Sequence, residues 1–261
     1  MLRKIRIVLA AIFFIVITLL LLGVSGNLQE WFGWMAGIQL PQSALAKNFI
    51  AVIAVVVLTI VLGRVYCSVI CPLGVCQDAV SKLGGKVNKT ENRFRYRKEN
   101  RWLRYGMLVV FAVLMATGCY EIACLIAPYS EYSTIVSALH PSAIKNIPLF
   151  IAAVAIFIVV LVLAWKGGRT WCNSICPIGT ALSLFSRISL FGTVIDKDKC
   201  VNCGLCEKNC KASCIDAANH KIDHSRCVSC MNCIDHCNKG AISYKFRLAS
   251  KCSSKDKNKQ K

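Results

Sequence analysis

The stretch CVNCGLCEKNC, residues 200–210, recurs 27 residues later as CVSCMNCIDHC, residues 227–237. Each copy spaces four cysteines as C-x2-C-x2-C-x3-C, in which three thiolates bind three corners of an iron–sulfur cubane. In proteins with two such clusters, the fourth cysteine of each copy ligates the other cluster. The spacing therefore predicts two 4Fe–4S clusters with exchanged ligands. The predicted sets are Cys200, Cys203, Cys206 and Cys237 for one cluster, and Cys227, Cys230, Cys233 and Cys210 for the other.

Structural zinc is the alternative for this segment, because four-cysteine zinc sites also use C-x2-C pairs. Zinc requires neither a third cysteine at this interval nor the whole pattern twice, so the spacing favours iron. The proline that usually follows the fourth cysteine is replaced by Lys211 and Asn238, and no ligand is lost. Cys214 aligns with Ala241 of the second copy, and we expect it to be a spare buried thiol.

The rest of the chain is too apolar for an ordinary soluble domain. Of 261 residues, 56% are hydrophobic, and the mean hydropathy is +0.53. Four apolar runs predict transmembrane helices at about residues 7–25, 48–66, 105–127 and 148–166, since about 20 residues span the hydrocarbon core. A cleaved signal peptide is the alternative for the first run, which Arg3, Lys4 and Arg6 precede. The length of that run favours a retained helix.

The net charge of +19 is unevenly distributed. Basic residues crowd the segment between the second and third runs, whereas the other two loops carry only Lys47 and Lys145. Cytoplasmic loops hold most Lys and Arg in membrane proteins. The middle segment and both termini are therefore predicted to be cytoplasmic. The charge is assigned to this topology, and no nucleic-acid partner is expected. The alternatives for the basic middle segment are binding of anionic membrane lipid and docking of an acidic redox partner.

These patterns predict an all-α membrane bundle of four transmembrane helices with a small α+β two-cluster cytoplasmic domain. The predicted boundaries are 1–190 for the membrane domain, 191–250 for the two-cluster domain and 251–261 for a disordered basic tail. The tail is rich in Lys and has almost no apolar residue.

A second repeat follows the second and fourth runs. The unit Gly63-Arg64-Val-Tyr-Cys67-Ser-Val-Ile-Cys71-Pro72-Leu-Gly74 recurs as Gly168-Arg169-Thr-Trp-Cys172-Asn-Ser-Ile-Cys176-Pro177-Ile-Gly179. Cysteines four residues apart share one helix face. If the two copies pack together, four sulfurs meet, which suits a cluster, Cu(I) or a thiol redox reaction. The alternative is that these cysteines only pack at helix ends. An additional redox or metal site at Cys67, Cys71, Cys172 and Cys176 is thus a hypothesis whose chemistry is open.

Two Cys-x3-Cys-Pro motifs followed by a two-cluster ferredoxin-like module resemble the NapH-type membrane subunits of quinol dehydrogenases. The wider group includes the NosR and CcoG proteins of respiratory-complex maturation. The resemblance covers nearly the whole chain, including the loop from Trp31 to Pro41, and the compact NapH-like form fits best. It implies four helices, cytoplasmic termini and a bacterial inner membrane. It also implies electron transfer from the quinol pool to a partner redox protein, either a reductase or a soluble iron–sulfur subunit.

Missing motifs narrow the cofactors. The sequence has no C-x-x-C-H for covalent haem and no G-x-G-x-x-G for a nicotinamide. Its four histidines lie outside the predicted membrane helices, so no bis-His haem is expected: His140, His220, His224 and His236. The predicted cofactors are two 4Fe–4S clusters with quinone as the exchanged substrate, and no catalytic residue is assigned. Glu121 is either a proton acceptor for quinol or an interfacial carboxylate.

The first functional hypothesis is a membrane-bound electron-transfer subunit that feeds a respiratory reductase. The second is a maturation factor that supplies Cu(I) or reduced thiols to a respiratory metalloenzyme. A redox sensor is the third, and the sequence shows no output domain for it.

Overall fold

The computed structural model describes residues 2–23, 30–32, 49–87, 94–139 and 146–247, and the chain is mostly helical. The helices are α1 Leu2–Leu21, α2 Phe49–Leu62, α3 Tyr66–Val69, α4 Pro72–Val87, α5 Arg101–Ala116, α6 Tyr120–Ile126, α7 Pro128–Ser137, α8 Ile147–Gly167, α9 Thr170–Ser174, α10 Pro177–Ser186, α11 Leu205–Lys208 and α12 Asn232–Asp235. The strands are β1 Phe191–Ile195, β2 Ile215–Asp216, β3 Lys221–Ile222 and β4 Ile242–Phe246. The predicted tail at 251–261 and most of the loop from Trp31 to Pro41 lie outside the described residues.

Among the described residues, two helices, α1 and α8, are long and apolar enough to cross a membrane, with mean hydropathies of 2.6 and 3.2. Only 11% and 17% of their apolar windows are buried. The core helix of a soluble protein would instead be buried for most of its length. Their apolar side chains face outward, as they do on helices whose solvent is lipid. Two shorter apolar helices in the described part of the chain are α2, with 14 residues, and α10, with 10.

The third predicted membrane helix is not continuous, and in this respect the prediction for 105–127 is wrong. The chain forms α5 up to Ala116 and begins a new helix, α6, at Tyr120. Gly118 between them has a φ of +77°, which is outside the helical region. Thr117 donates its hydroxyl to the carbonyls of Val113 and Leu114 and so satisfies two acceptors at the end of α5. The pair Thr117-Gly118 inside the apolar run is the sequence feature that could have indicated this break.

The two repeats pack in a crossed manner. Helix α4, which follows the first Cys-Pro, packs against α8 of the second repeat, and α10, which follows the second Cys-Pro, packs against α2 of the first. Helices α1 and α5 take equivalent places, since α1 packs on α3 and α4 while α5 packs on α9 and α10. Each half of the bundle is therefore completed by a helix of the other half.

The cysteine-rich module closes on its own ends and is tied to the bundle. Strand β1 pairs antiparallel with β4, from Phe191 opposite Phe246 to Ile195 opposite Ile242, and β2 pairs with β3. The Tyr244 hydroxyl donates to the carbonyl of Leu62 at the end of α2 over 2.8 Å. Val228 of the module lies in the same apolar core as Tyr66 and Trp171. The module is thus packed directly beneath the two Cys-x3-Cys-Pro motifs.

This packing leaves no room for a side chain at the last glycine of each motif. A Cβ at Gly179 would overlap the carbonyl oxygen of Cys172 and stand 2.8 Å from Arg64 Nη2. We expect Gly179→Ala to lower the free energy of unfolding by about 1–3 kcal/mol, the usual cost of overpacking. Gly106→Ala, in the middle of α5 with nothing within 4 Å of the added atom, is the matched control and should be neutral or slightly stabilising. Thermal unfolding in detergent measures both, and equal effects would contradict the crossed packing.

Candidate iron–sulfur sites

The two cysteine loops of the module have the same unusual backbone. Asn202 and Gly204 have φ values of +56° and +71°, and the equivalent Ser229 and Met231 have +49° and +60°. Left-handed residues alternating with right-handed ones turn successive backbone N–H groups toward one point, where they bind anions. This conformation strains the backbone of residues other than glycine, and such strained residues cluster at functional sites. The loops are therefore shaped to surround a negatively charged group.

The predicted ligands gather in two separate places. One cavity of about 150 Å³ is lined by Cys200, Cys203, Cys206 and Cys237. A second, narrower cavity is lined by Cys210, Cys227, Cys230 and Cys233 together with Cys214. In each place, three cysteines of one copy of the motif meet the fourth cysteine of the other copy. Four predicted ligand thiols gathered in each lining are a donor set that fits an iron–sulfur cluster.

Cys214 is buried, as expected, and it contacts a predicted ligand. Its Sγ lies 3.5 Å from Cys210 Sγ. A hydrogen bond from Cys214 lowers the pKa of the Cys210 thiol to about 7, despite its burial. The same thiol also lowers the pKa of Cys227. Cys214 is therefore placed to donate to two sulfurs of the second set.

The four cysteines of the Cys-x3-Cys-Pro motifs meet inside the protein. Cys67, Cys71, Cys172 and Cys176 are between 2% and 5% exposed, and each second cysteine directly precedes a helix that begins with proline. Gly179 N donates to Cys176 Sγ over 3.3 Å. The Gly74 N–H makes the equivalent bond to Cys71, although burial still raises the pKa of that thiol well above its ordinary value. Burial likewise raises the pKa of Cys172 to about 11.

Two fully buried arginines cross between the motifs. Arg64 of the first motif donates to the carbonyl of Cys172 in the second over 3.3 Å, and Arg169 of the second donates to the carbonyl of Cys67 in the first. Both side chains have no exposed area. Arg64 also donates to Asn173 Oδ1, and its Nη2 lies 3.9 Å from Cys67 Sγ. The Gly-Arg residues of the repeat are thus what joins the two cysteine pairs.

One carboxylate serves several cations beside these cysteines. Asp78 Oδ1 is 2.9 Å from Arg169 Nε and 3.6 Å from Lys211 Nζ, and its Oδ2 is 3.3 Å from Arg6 Nη1. Burial alone would raise the pKa of Asp78, but these three cations hold it well below its usual range. The surroundings of the four cysteines therefore carry more positive than negative charge.

Other residues singled out in the sequence are not brought to these sites. Glu121 is exposed on α6, Cys119 is exposed, and Cys124 is half-buried. Sequence reasoning missed Glu131, which is 1% exposed on α7, with neither carboxylate oxygen bonded to a described residue. It also missed Asp78, since a single aspartate in an amphipathic helix carries no distinctive signal.

The profile of a family described as a 4Fe–4S binding domain matches residues 48–90 and 149–195, which contain the two Cys-x3-Cys-Pro motifs. The chain is 32% identical over 149 residues to the methylamine utilization ferredoxin-type protein MauN of Paracoccus denitrificans, covering 57% of this chain and 48% of that protein. It is 32% identical over 171 residues to the ferredoxin-type protein NapH of Haemophilus influenzae, covering 63% and 54%. The chain is thus similar to the ferredoxin-type proteins MauN and NapH.

A further relative is an uncharacterised protein of Methanocaldococcus jannaschii, 27% identical over 217 residues and covering 80% of this chain and 81% of that protein. The chain spans about half the length of the MauN and NapH relatives that it matches. No solved structure matches it. The resemblance to NapH-type proteins drawn from the motifs is thus confirmed, and 4Fe–4S binding is the cofactor chemistry that the family profile supports.

Asp78 provides a test of the charge balance at the four cysteines. Asp78→Asn leaves Arg169 buried without a carboxylate, and breaking a buried ion pair in this way costs about 3 kcal/mol. The matched control is Asp235→Asn, which breaks the exposed pair with Arg3 and should cost less than about 1 kcal/mol. Unfolding of the detergent-solubilised protein at neutral pH, well above the ordinary Asp pKa of 3.8, measures the full contribution. Equal losses for the two variants would contradict a buried role for Asp78.

Proposed function

We propose that this chain is a membrane-bound electron-transfer protein with two 4Fe–4S clusters in its cysteine-rich module, held by the two exchanged ligand sets predicted above. The relatives named ferredoxin-type proteins support electron transfer as the activity. The single observation that carries the proposal is that Cys237 lines one cavity with Cys200, Cys203 and Cys206, while Cys210 lines the other with the second set.

The position of the two cavities supports a direction for electron flow. The loop that precedes Cys227 is bonded to the bundle, because Arg64 donates to the carbonyl of Ser225. Cys203, in the other set, is exposed. Electrons would thus enter the Cys227 set from the membrane side and leave from the Cys203 set to a partner redox protein, either a reductase or a soluble iron–sulfur subunit.

For the membrane arrangement, we keep the four crossings, the cytoplasmic termini and the bacterial inner membrane as parts of the proposal. The outward apolar faces of α1 and α8 and the NapH-type relatives support a membrane protein. The excess of Lys and Arg between the second and third apolar runs supports a cytoplasmic module. The quinol pool is then the proposed electron source.

A maturation factor that handles copper or thiols is the competing function. Cysteines that react with external partners are at least partly exposed. The four cysteines of the Cys-x3-Cys-Pro motifs are 2–5% exposed, so none of them presents a sulfur to an incoming metal carrier or disulfide. This burial favours the electron relay.

The relay is tested by an anaerobic EPR redox titration of the purified protein, with iron, sulfide, zinc and copper assays and a quinol analogue as donor. At least about eight irons and reduction of the clusters by the quinol analogue support the proposal. Clusters that are reduced by dithionite but never by the quinol analogue would contradict the quinol pool as donor. Zinc in place of iron would overturn the proposal.

The ligand exchange is tested by comparing two cysteine variants of the module. Cys237→Ser should remove the cluster of the Cys200 set and lower the iron content by about four atoms, because a cubane needs its fourth thiolate. Cys214→Ser changes the buried thiol that contacts Cys210 but belongs to neither predicted set, so this variant should keep all the iron. Loss of iron from Cys214→Ser with none from Cys237→Ser would show that the ligand sets are wrongly assigned.

A further inference from the structure

The surroundings of the four buried cysteines contain a positive charge that needs a counter-ion. Arg64 is fully buried, and among the described residues no carboxylate lies within ion-pair distance of it. Its partners are neutral: Asn173 Oδ1 at 2.9 Å, the Ser225 carbonyl at 3.1 Å and the Cys172 carbonyl at 3.3 Å. Burying an unpaired guanidinium costs several kcal/mol. Cys67, which can carry a negative charge as a thiolate, has its Sγ 3.9 Å from Nη2 of Arg64.

Free thiols would not supply that charge. A free thiol has an ordinary pKa of about 8.5, so without a metal it is mostly neutral at pH 7. Metal binding deprotonates a thiol outright. The backbone N–H groups at the start of α4 and α10, which point at Cys71 and Cys176, favour the same anionic state. Both the arginine and the helix ends therefore fit metal-bound thiolates.

We propose that Cys67, Cys71, Cys172 and Cys176 together hold a third iron–sulfur cluster of the 4Fe–4S type, with the uncompensated Arg64 as its counter-ion. Four thiolates around a 2+ core leave a net charge of −2, so the cluster would supply the negative charge that the fully buried Arg64 lacks. The two stretches matched by the family profile for 4Fe–4S binding are the two that supply these cysteines.

The third cluster would be the one next to the membrane helices, and this placement rests on the proposed electron-transfer function. Arg64 bridges the four cysteines and the carbonyl of Ser225, two residues before Cys227. On the other side, Arg169 N donates to the carbonyl of Lys211, which follows Cys210. The four-cysteine site thus borders the cavity of the Cys227 set.

The test is the iron and sulfide content of the anaerobically purified full chain, with Mössbauer spectra of the 57Fe-enriched protein. We expect about twelve irons in the wild type and about eight in Cys172→Ser, whose spectrum should lose a third of its area and keep the module's clusters. The control is Cys76→Ser, which changes the half-buried cysteine one turn beyond the first motif and should keep about twelve. In Arg64→Met, the midpoint potential of the third cluster should fall, with Arg64→Lys between that variant and the wild type, because removal of a nearby positive charge disfavours the added electron.

The outcomes separate this proposal from the relay itself. About eight irons in the wild type, unchanged in Cys172→Ser, would overturn the third cluster and leave the two-cluster relay intact. One zinc or copper lost on Cys172→Ser would overturn the iron–sulfur assignment of the site. Fewer than eight irons in the wild type, with none lost on Cys172→Ser, would overturn both. If Arg64→Met does not fold, the cysteine variants still decide.

Discussion

The crossing of Arg64 and Arg169 is the interaction on which the rest of the structure depends. The guanidinium of Arg64 lies between the carbonyl of Cys172 and Gly179. That of Arg169 lies between the carbonyl of Cys67 and Gly74. A buried guanidinium is stable only where hydrogen bonds and negative charge replace its water. The hydrogen bonds of both guanidinium groups form only when the two repeats pack against each other. The arginines therefore fix how the two halves of the bundle pair, whereas apolar contacts alone would orient them less specifically.

The same arginines fix the module against the bundle. Arg64 reaches the Ser225 carbonyl with its side chain, and Arg169 reaches the Lys211 carbonyl with its backbone N–H. Asn173, between the two cysteines of the second motif, donates to the carbonyl of Ala212. Residues of the motifs thus hold the loops beside the Cys227 set. Electron transfer depends steeply on distance, and a module held by buried hydrogen bonds keeps that distance constant.

Local patterns predicted the parts of this protein, and long-range packing determined how they combine. The spacing of the ferredoxin-type cysteines predicted which of them share a loop. The repeated Gly-Arg unit indicated that the four cysteines of the Cys-x3-Cys-Pro motifs belong to one site. The crossed packing of α4 on α8 was not predictable, because both helices are apolar on several faces and the sequence does not say which faces meet. The break at Gly118 was missed because hydropathy averaged over a window does not register one glycine. Asp78 and Glu131 were missed because burial of a lone carboxylate is decided by distant residues.

The symmetry of the cysteine frame is broken by the residues behind it. Gln77 and Asp78 follow the first motif, whereas Leu182 and Ser183 occupy the equivalent places after the second. Asp78 therefore neutralises Arg169 and leaves Arg64, its symmetry partner, without a carboxylate. The uncompensated charge lies between the four cysteines and the loop before Cys227, where it stabilises an added electron on either side. If both arginines were paired with a carboxylate, the two sides of the four-cysteine site would be equally charged. Because Asp78 pairs with Arg169 and not with Arg64, the side that faces the cysteine-rich module is positively charged.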